Sequence, residues 1–222
     1  MIRMFAVAAT VAAFVADFPA TGRVISGPRP QVELKNTGDR PITAWSFAVV
    51  SPTATGTHRE THTADVYLSE VTHGLPQSEA HLDWLRPNES RTLPIDSAPP
   101  GASVQFVALV FDDGTSVGDP ETIGSFFAHR AAERDELKKV VDAFNAALQT
   151  KRGAAALEDL QKRFAPSGGE ESVPRRSARD AVATWLQRGN AVSDDDLDRS
   201  ARTYLAFVTK QYEAAVRHSR PL

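Results

Sequence analysis

Four of the six histidines fall in one short window of the chain, and clustered histidines are the first residues to test for metal chemistry: His58, His62, His73 and His81. His58 and His62 are four residues apart, a spacing that on a helix would place both imidazoles on one face as zinc ligands. The surrounding sequence, TGTHRETHTAD, is rich in threonine and predicts a loop or a strand, and it matches neither H-E-x-x-H nor H-x-x-E-H. We therefore expect surface histidines, with His58 and His62 as weak candidates for a metal site.

Three aspartates stand near the turn that follows the strongest apolar run: Asp112, Asp113 and Asp119. Calcium is one interpretation, but the pattern lacks the spaced acidic residues and the distant glutamate of an EF-hand loop. Asp113 followed by Gly114 is by itself a strong signal for a β-hairpin turn. We predict a hairpin turn here and no metal.

Paired basic residues recur in the second half of the chain: Lys138-Lys139, Lys151-Arg152, Lys162-Arg163 and Arg175-Arg176. Acidic residues stand among them, and the formal net charge of the whole chain is −3. Solvated helix surface explains this pattern better than a nucleic-acid footprint. We expect no nucleic-acid partner.

Motifs for cofactor chemistry are absent from this sequence, which has neither a P-loop nor G-x-G-x-x-G. It contains no cysteine, which removes thiolate nucleophiles, disulfides and thiolate metal sites. Scattered serine, histidine and aspartate residues leave open a triad that is assembled only in space. The sequence predicts no cofactor and identifies no catalytic residue.

The N-terminal segment has the pattern of a secretory signal peptide. After Arg3, an uncharged apolar run extends over Met4–Ala16, shorter than the roughly 20 residues that span a bilayer. Small residues suited to cleavage lie near Ala13, Ala16 and Ala20. We predict a signal peptide over residues 1–20 and a periplasmic or extracellular mature protein without a membrane span; the alternative is an apolar strand or helix of the mature fold.

The elements that would position these residues begin with Gln31–Val50, which we predict to be a β-hairpin. Apolar and polar residues alternate up to Lys35, a turn cluster follows, and a β-branched and aromatic run completes the segment. We expect its core residues to include Val32, Leu34, Ile42 and Trp45.

The following polar stretch, Ser51–Thr63, predicts a long loop, and Ala64–Val71 a weak strand. Alternation returns at Ser90–Ile95. The nearly continuous apolar run Ser103–Phe111 is typical of a buried central strand, and it leads into the predicted hairpin turn.

Three segments carry a resemblance to a known class of domain: NTGDRPITAW from Asn36, LRPNESRTL from Leu85, and VQFVALVFDDGT from Val104. Together they resemble the immunoglobulin-like β-sandwich modules of exported bacterial proteins, over about residues 23–118. In such modules a strand ends in x-V-x-N-T-G, and a turn L-x-P-G-E-S-x-x-L precedes a middle strand; here Asn88 stands where glycine is usual. The resemblance implies an antiparallel sandwich that serves adhesion, spacing or protein contact.

From residue 120 the apolar period changes to that of helices, which we predict at Pro120–Thr150, Ala154–Phe164, Ser177–Arg188 and from Ser193 to about His218. Arg130 falls on the apolar stripe of the first of them. A flexible connector is expected near residues 165–176. The predicted fold is therefore an antiparallel, immunoglobulin-like β-sandwich followed by an all-α segment of three to four helices over residues 120–222.

The leading functional prediction is a non-enzymatic binding or structural module of the bacterial cell envelope. The sequence identifies no ligand, and a protein is one candidate partner. One alternative is a metal-dependent hydrolase that uses the His58–His81 region. Another is that the helical half is an oligomerisation element; the sequence does not define an oligomeric state.

Overall fold

Two antiparallel β-sheets are followed by a helical C-terminal part, and the computed structural model describes residues 17–72, 83–166, 168–169, 171–188 and 191–221. Most of the predicted signal peptide lies outside the described residues, as do His73 and His81. In the part of the chain that is described, no helix has the length and apolar character needed to cross a bilayer.

Among the residues described, the first sheet has three strands and the second has four. The order in the first is β1 (Ala20–Ile25), β2 (Gln31–Asn36) and β5 (Ser90–Pro94). The order in the second is β4 (Gly56–Asp65), β3 (Ile42–Thr53), β6 (Ser103–Phe111) and β7 (Ser116–Gly118). All neighbouring strands are antiparallel.

The two sheets enclose an apolar core. Val32 and Leu34 enter it from the first sheet, and Trp45, Phe47 and Leu109 enter it from the second. The predicted core residues, Val32, Leu34, Ile42 and Trp45, are each at most 1% exposed, which confirms that prediction. Mutual burial of these side chains removes apolar surface from water and holds the sheets together.

The predicted hairpin at Gln31–Val50 is wrong. β2 pairs with β1 and β5, whereas β3 pairs with β4 and β6, so the turn after Asn36 carries the chain from one sheet to the other. Alternating polarity identified both strands and the turn between them. The alternating pattern does not show which strands pair, because a strand buries the same apolar face in either sheet.

A buried corner joins the segment that begins at Asn36 to the segment that begins at Leu85. The Asn36 side chain is fully buried, and its Nδ2 donates to the carbonyls of Arg40 at 2.8 Å and Leu85 at 2.9 Å. The backbone N–H of Asn88 donates to the carbonyl of Asn36 at 3.0 Å, and Asn88 has a φ of 64°. Asparagine tolerates this left-handed conformation better than most residues do, which explains how it replaces glycine.

The predicted loop at Ser51–Thr63 and strand at Ala64–Val71 are also wrong. β3 and β4 form a long hairpin in which Thr53 pairs with Gly56, and the pairing continues to Ala44 and Asp65. Threonine is β-branched and favours strands, so its high content here marked strand rather than loop. After β4 the chain enters a short helix, α1 (Ser69–Thr72).

Four helices follow in the described residues: α2 (Pro120–Thr150), α3 (Gly153–Arg163), α4 (Val173–Arg188) and α5 (Asp194–His218). They confirm the predicted helical segment, although α4 begins four residues earlier than predicted, inside the expected connector. Asp119 caps α2 and Ser193 caps α5 by accepting backbone N–H bonds. Trp185 packs on the helical core, and its ring and that of Tyr204 form a T-shaped pair with centroids 5.7 Å apart.

The helices form a third layer on the outer face of the four-stranded sheet. Phe126 and Phe127 of α2 pack against Ala44, Ala108 and Val110 of that sheet. Because sheet and helix each cover one face, most of β3 is buried on both sides. The helices therefore pack on the sheet through an apolar cluster of their own, on the face opposite the core between the sheets.

The acidic start of α5 also serves the neighbouring helix. Asp194 Oδ1 accepts from the N–H of Ala154 at 2.9 Å, and Asp198 Oδ1 accepts from the N–H of Gly153 at 3.2 Å. Gly153 has a φ of 53°, and a Cβ built there would lie 2.5 Å from the Cβ of Asp194. The absence of a side chain at residue 153 is thus what lets α3 and α5 meet.

Candidate functional site

A buried arginine joins the two parts of the molecule. Arg130 of α2 is 0% exposed, and its Nε and Nη2 each donate to one carboxylate oxygen of Asp65, at the end of β4, at 2.9 Å. Nη2 also donates to Thr43 Oγ1 at 3.1 Å, and Nη1 donates to the carbonyl of His218 at 3.2 Å. The guanidinium lies over the ring of Tyr67 at 4.9 Å. One side chain thus holds β3, β4, α2 and α5 together.

The Tyr67 side chain extends this network along α2. Its hydroxyl donates to Glu133 Oε2 at 2.6 Å. The backbone carbonyl of Tyr67 accepts from Trp84 Nε1 at 3.2 Å. Burial, followed by the nearby charge of Glu133, raises the pKa of Tyr67 far above its ordinary value. The hydroxyl therefore stays protonated and fixes the position of the Glu133 carboxylate.

The His218 imidazole lies at the same junction. Its ring centroid is 5.5 Å from that of Trp84 and 6.0 Å from that of Tyr67, and Nε2 is 3.7 Å from Glu70 Oε1. Burial lowers the pKa of His218, and Arg130 acts in the same direction while Glu70 opposes it. At neutral pH the ring is uncharged, and its aromatic contacts make it part of the packing between sandwich and helices.

A cleft opens beside this junction, between α2 and the start of α4, with a volume of about 860 Å³. Its lining includes one histidine and seven charged residues: His129, Glu133, Glu136, Lys139, Glu171, Arg175, Arg176 and Arg179. Glu133 is the residue that connects the cleft to the buried junction, through Tyr67.

Two glutamates of the cleft pair with basic side chains, although Oε1 of Glu171 is buried without a hydrogen-bond partner among the described residues. Glu136 accepts from Ser172 Oγ at 3.0 Å and from Lys139 Nζ, and the bond from Lys139 lowers the pKa of Glu136. Glu171 pairs with Arg179. These contacts tie the chain before α4 to α2 and set the shape of the cleft.

An apolar pocket of about 500 Å³ adjoins the charged cleft. Val173, Pro174 and Glu133 line both spaces. The apolar lining consists of Leu68, Leu137, Val173, Pro174, Tyr204, Phe207 and Val208. Burial raises the pKa of Tyr204 to about 12, so its hydroxyl is neutral. We call the combined space the α2–α4 cleft; it can hold a group that is apolar at one end and charged at the other.

A separate cavity of about 550 Å³ brings together a serine, a histidine and two aspartates: Ser125, His129, Asp119 and Asp65. Asp119 accepts from Thr122 N at 2.8 Å and is used as a helix cap, and Asp65 is held by Arg130. Within the described residues, no hydrogen bond joins His129 to either aspartate. The relay that a catalytic triad requires is therefore not formed here.

His58 and His62 both lie on β4, where they share a face but are separated by about 13 Å along the strand. His62 stacks on Phe47 at 5.1 Å, and its Nε2 is 3.1 Å from Glu60 Oε1. The separation of about 13 Å between His58 and His62 is too long for the two imidazoles to bind one ion. Among the residues described, no group of three or more histidines and carboxylates could hold a metal.

The pentapeptide Gly114–Gly118 matches the G-x-S-x-G pattern of serine hydrolases, which sequence reasoning missed. In those enzymes the serine occupies a sharp turn between a strand and a helix. Here Ser116 is exposed at the start of β7, paired with Val110 across the hairpin. Asp113 Oδ1 accepts from the N–H of Thr115 at 2.9 Å, which confirms the predicted hairpin turn.

Comparisons with known proteins return no relative. No protein-family model matches the chain, and neither the curated proteins nor the solved structures contain a significant match. What the protein does must therefore be argued from the buried junction and the α2–α4 cleft.

Proposed function

We propose that this protein is an exported, non-enzymatic binding module of the bacterial cell envelope, in which an immunoglobulin-like sandwich supports a helical unit that contacts a protein partner. The observation that carries the proposal is the α2–α4 cleft. Within it Lys139 pairs with Glu136 and Arg179 with Glu171, and its walls are fixed to the sandwich through Glu133, Tyr67 and Arg130. A preformed cleft is suited to binding.

Strand order supports the immunoglobulin-like part of the proposal. If β1, β2 and β5 correspond to strands A, B and E of an immunoglobulin domain, then β4, β3, β6 and β7 correspond to C′, C, F and G. Trp45 is buried on the strand that corresponds to C, where immunoglobulin domains carry a buried tryptophan. The left-handed conformation of Asn88, at a position where these modules usually have glycine, is a further point of agreement.

The start of the fold is compatible with export. The carbonyl of Pro19 accepts from the N–H groups of Thr37 and Gly38, and Ala20 is buried as the first residue of β1. Cleavage after Ala16 would leave these contacts intact, whereas cleavage after Ala20 would remove them. The proposal therefore favours a mature chain that begins at residue 17.

Fractionation of the native host, followed by N-terminal sequencing of the protein, tests the proposal. We expect the protein in the envelope or medium, with the apolar segment removed. Full-length protein in the cytoplasm would contradict it. Chemical cross-linking in intact cells, with identification by mass spectrometry, is the matching test for a protein partner.

A further inference from the structure

The apolar pocket of the α2–α4 cleft has one charged group in its lining, the carboxylate of Glu133. Its other walls are formed by the apolar residues named above, by Ser177 and by Gln211. Val173, on the same wall as Ser177, is 67% exposed, so an occupant would cover apolar surface there. The pocket therefore presents a single negative charge among apolar side chains.

The Glu133 carboxylate has no cationic partner in the described part of the chain. Its Oε2 accepts from the hydroxyl of Tyr67 at 2.6 Å, which is a neutral donor, and Oε1 accepts no hydrogen bond from any described residue. The segments outside the described residues contain no lysine or arginine apart from Arg3. The charge of Glu133 is thus available to a cation from another molecule.

The basic residues of the neighbouring charged cleft are engaged elsewhere and do not line the apolar pocket. Lys139 and Arg179 each pair with a glutamate of that cleft. Arg175 and Arg176 donate to backbone carbonyls. The pocket and the charged cleft therefore differ in electrostatic character, although they adjoin.

A partner that covers the pocket must supply a positive charge. An apolar group alone would take the Glu133 carboxylate out of water without pairing it, which costs free energy. A carboxylate would bring a second negative charge against it. A positively charged group on an apolar stem fits both the charge and the walls.

We infer that the apolar pocket binds a lysine side chain of a protein partner, with the ammonium at Glu133 and the methylene stem against Leu137 and Phe207. This inference rests on the proposed function and specifies the chemistry of the partner. Lysine fits better than arginine, because Oε2 of Glu133 already accepts from Tyr67. An ammonium needs only the remaining oxygen, whereas the paired bonds of a guanidinium use both oxygens of a carboxylate.

Fluorescence anisotropy with the purified full-length mature protein tests the inference. The probe is a labelled peptide of seven residues, with lysine at its centre, leucine on either side and otherwise glycine and serine. In one control peptide acetyl-lysine replaces lysine, which keeps the stem and removes the charge; in another, glutamate replaces lysine. We expect the probe to bind at least about tenfold more tightly than either control, because each control leaves Glu133 without a cation.

Protein variants locate the binding. Glu133→Gln keeps the shape of the side chain and removes its charge, so it should weaken probe binding by about tenfold or more. Ser177→Lys, on the exposed side of α4, adds a competing ammonium to the pocket lining and should weaken binding as well. Glu121→Gln is the matched control: Glu121 is exposed in the first turn of α2, outside the pocket, and its replacement should leave binding unchanged. Circular dichroism and thermal melts check that each variant is folded.

Equal binding of the lysine and acetyl-lysine peptides, or no binding of any peptide, would overturn the inference, as would full affinity in Glu133→Gln. Binding of hexylamine without binding of the lysine peptide would overturn it too and point to a small amine as the ligand. If cross-linking in cells identifies an envelope partner while the peptides fail, the proposed function stands and only this inference fails. If both fail, neither is retained.

Discussion

Arg130 and Asp65 form a two-bond ion pair at the point where the helices meet the sheets, with both bonds at 2.9 Å. The arginine side chain is fully buried and the aspartate side chain is 12% exposed. A charge in this environment is tolerated only because it is paired and hydrogen-bonded. The packing of the helical part on the sandwich therefore depends on this contact.

Arg130→Ala should reduce the free energy of unfolding by about 3–5 kcal/mol, because it leaves the Asp65 carboxylate without its partner in a mostly buried site. The substitution also leaves the His218 carbonyl without the bond from Nη1. Urea denaturation followed by circular dichroism measures the change.

The matched control for that experiment is Arg199→Ala. Arg199 also pairs with an aspartate, Asp196, but its side chain is 74% exposed. Solvent screens such a pair, so we expect a change of no more than about 1 kcal/mol. Equal losses in the two variants would contradict the role assigned to Arg130.

The stability of the protein should fall as the pH is lowered below 6.5. Burial lowers the pKa of His218 in the folded state below its ordinary value of 6.5, so the unfolded chain takes up a proton first. The contribution of the neutral ring is complete above pH 6.5 and is lost as the pH falls. The charged groups that act on the ring are Glu70, Arg130, Arg217 and Asp112.

His218→Gln should flatten this pH dependence, measured as the urea midpoint at each pH. His129→Gln is the control, since His129 is exposed on α2 and its replacement should leave the slope as in the parent protein. An unchanged slope in His218→Gln would show that other groups cause the effect.

Two glycine-to-alanine substitutions should change stability in opposite directions. Gly153→Ala should destabilise by about 1–3 kcal/mol, because residue 153 has a φ of 53° and the new Cβ would meet Asp194. Gly124→Ala, in the exposed first turns of α2 with no atom within 4 Å of the new Cβ, should stabilise by up to about 1 kcal/mol. Thermal melts of the two variants, compared with the parent protein, measure both effects. A Gly153→Ala variant as stable as the parent protein, or more stable, would be inconsistent with the packing of α3 on α5.

Zinc analysis of the purified protein addresses the hydrolase alternative. Since His58 and His62 lie about 13 Å apart on one strand, we expect less than stoichiometric zinc and no change on His58→Ala or His62→Ala. Stoichiometric zinc that disappears in both variants would favour the hydrolase instead.

The helical half was predictable because its apolar period is long and regular, and even Arg130 was found on the apolar stripe of α2. The hairpin at Gln31–Val50 and the loop at Ser51–Thr63 were wrong, since strand pairing depends on contacts that alternation does not encode. The α2–α4 cleft was not predictable, because Val173 and Glu133 belong to helices whose approach is set by packing.

The most direct test of the account is site-specific photo-cross-linking in the native host, with the cross-linker placed either at Val173 or at Asp39. Asp39 is the control because its side chain is 96% exposed, in the turn between β2 and β3. We expect a discrete adduct with one envelope protein from position 173 and none from position 39. An adduct from position 39 alone, or from neither position, would contradict the assignment of the α2–α4 cleft as the binding surface.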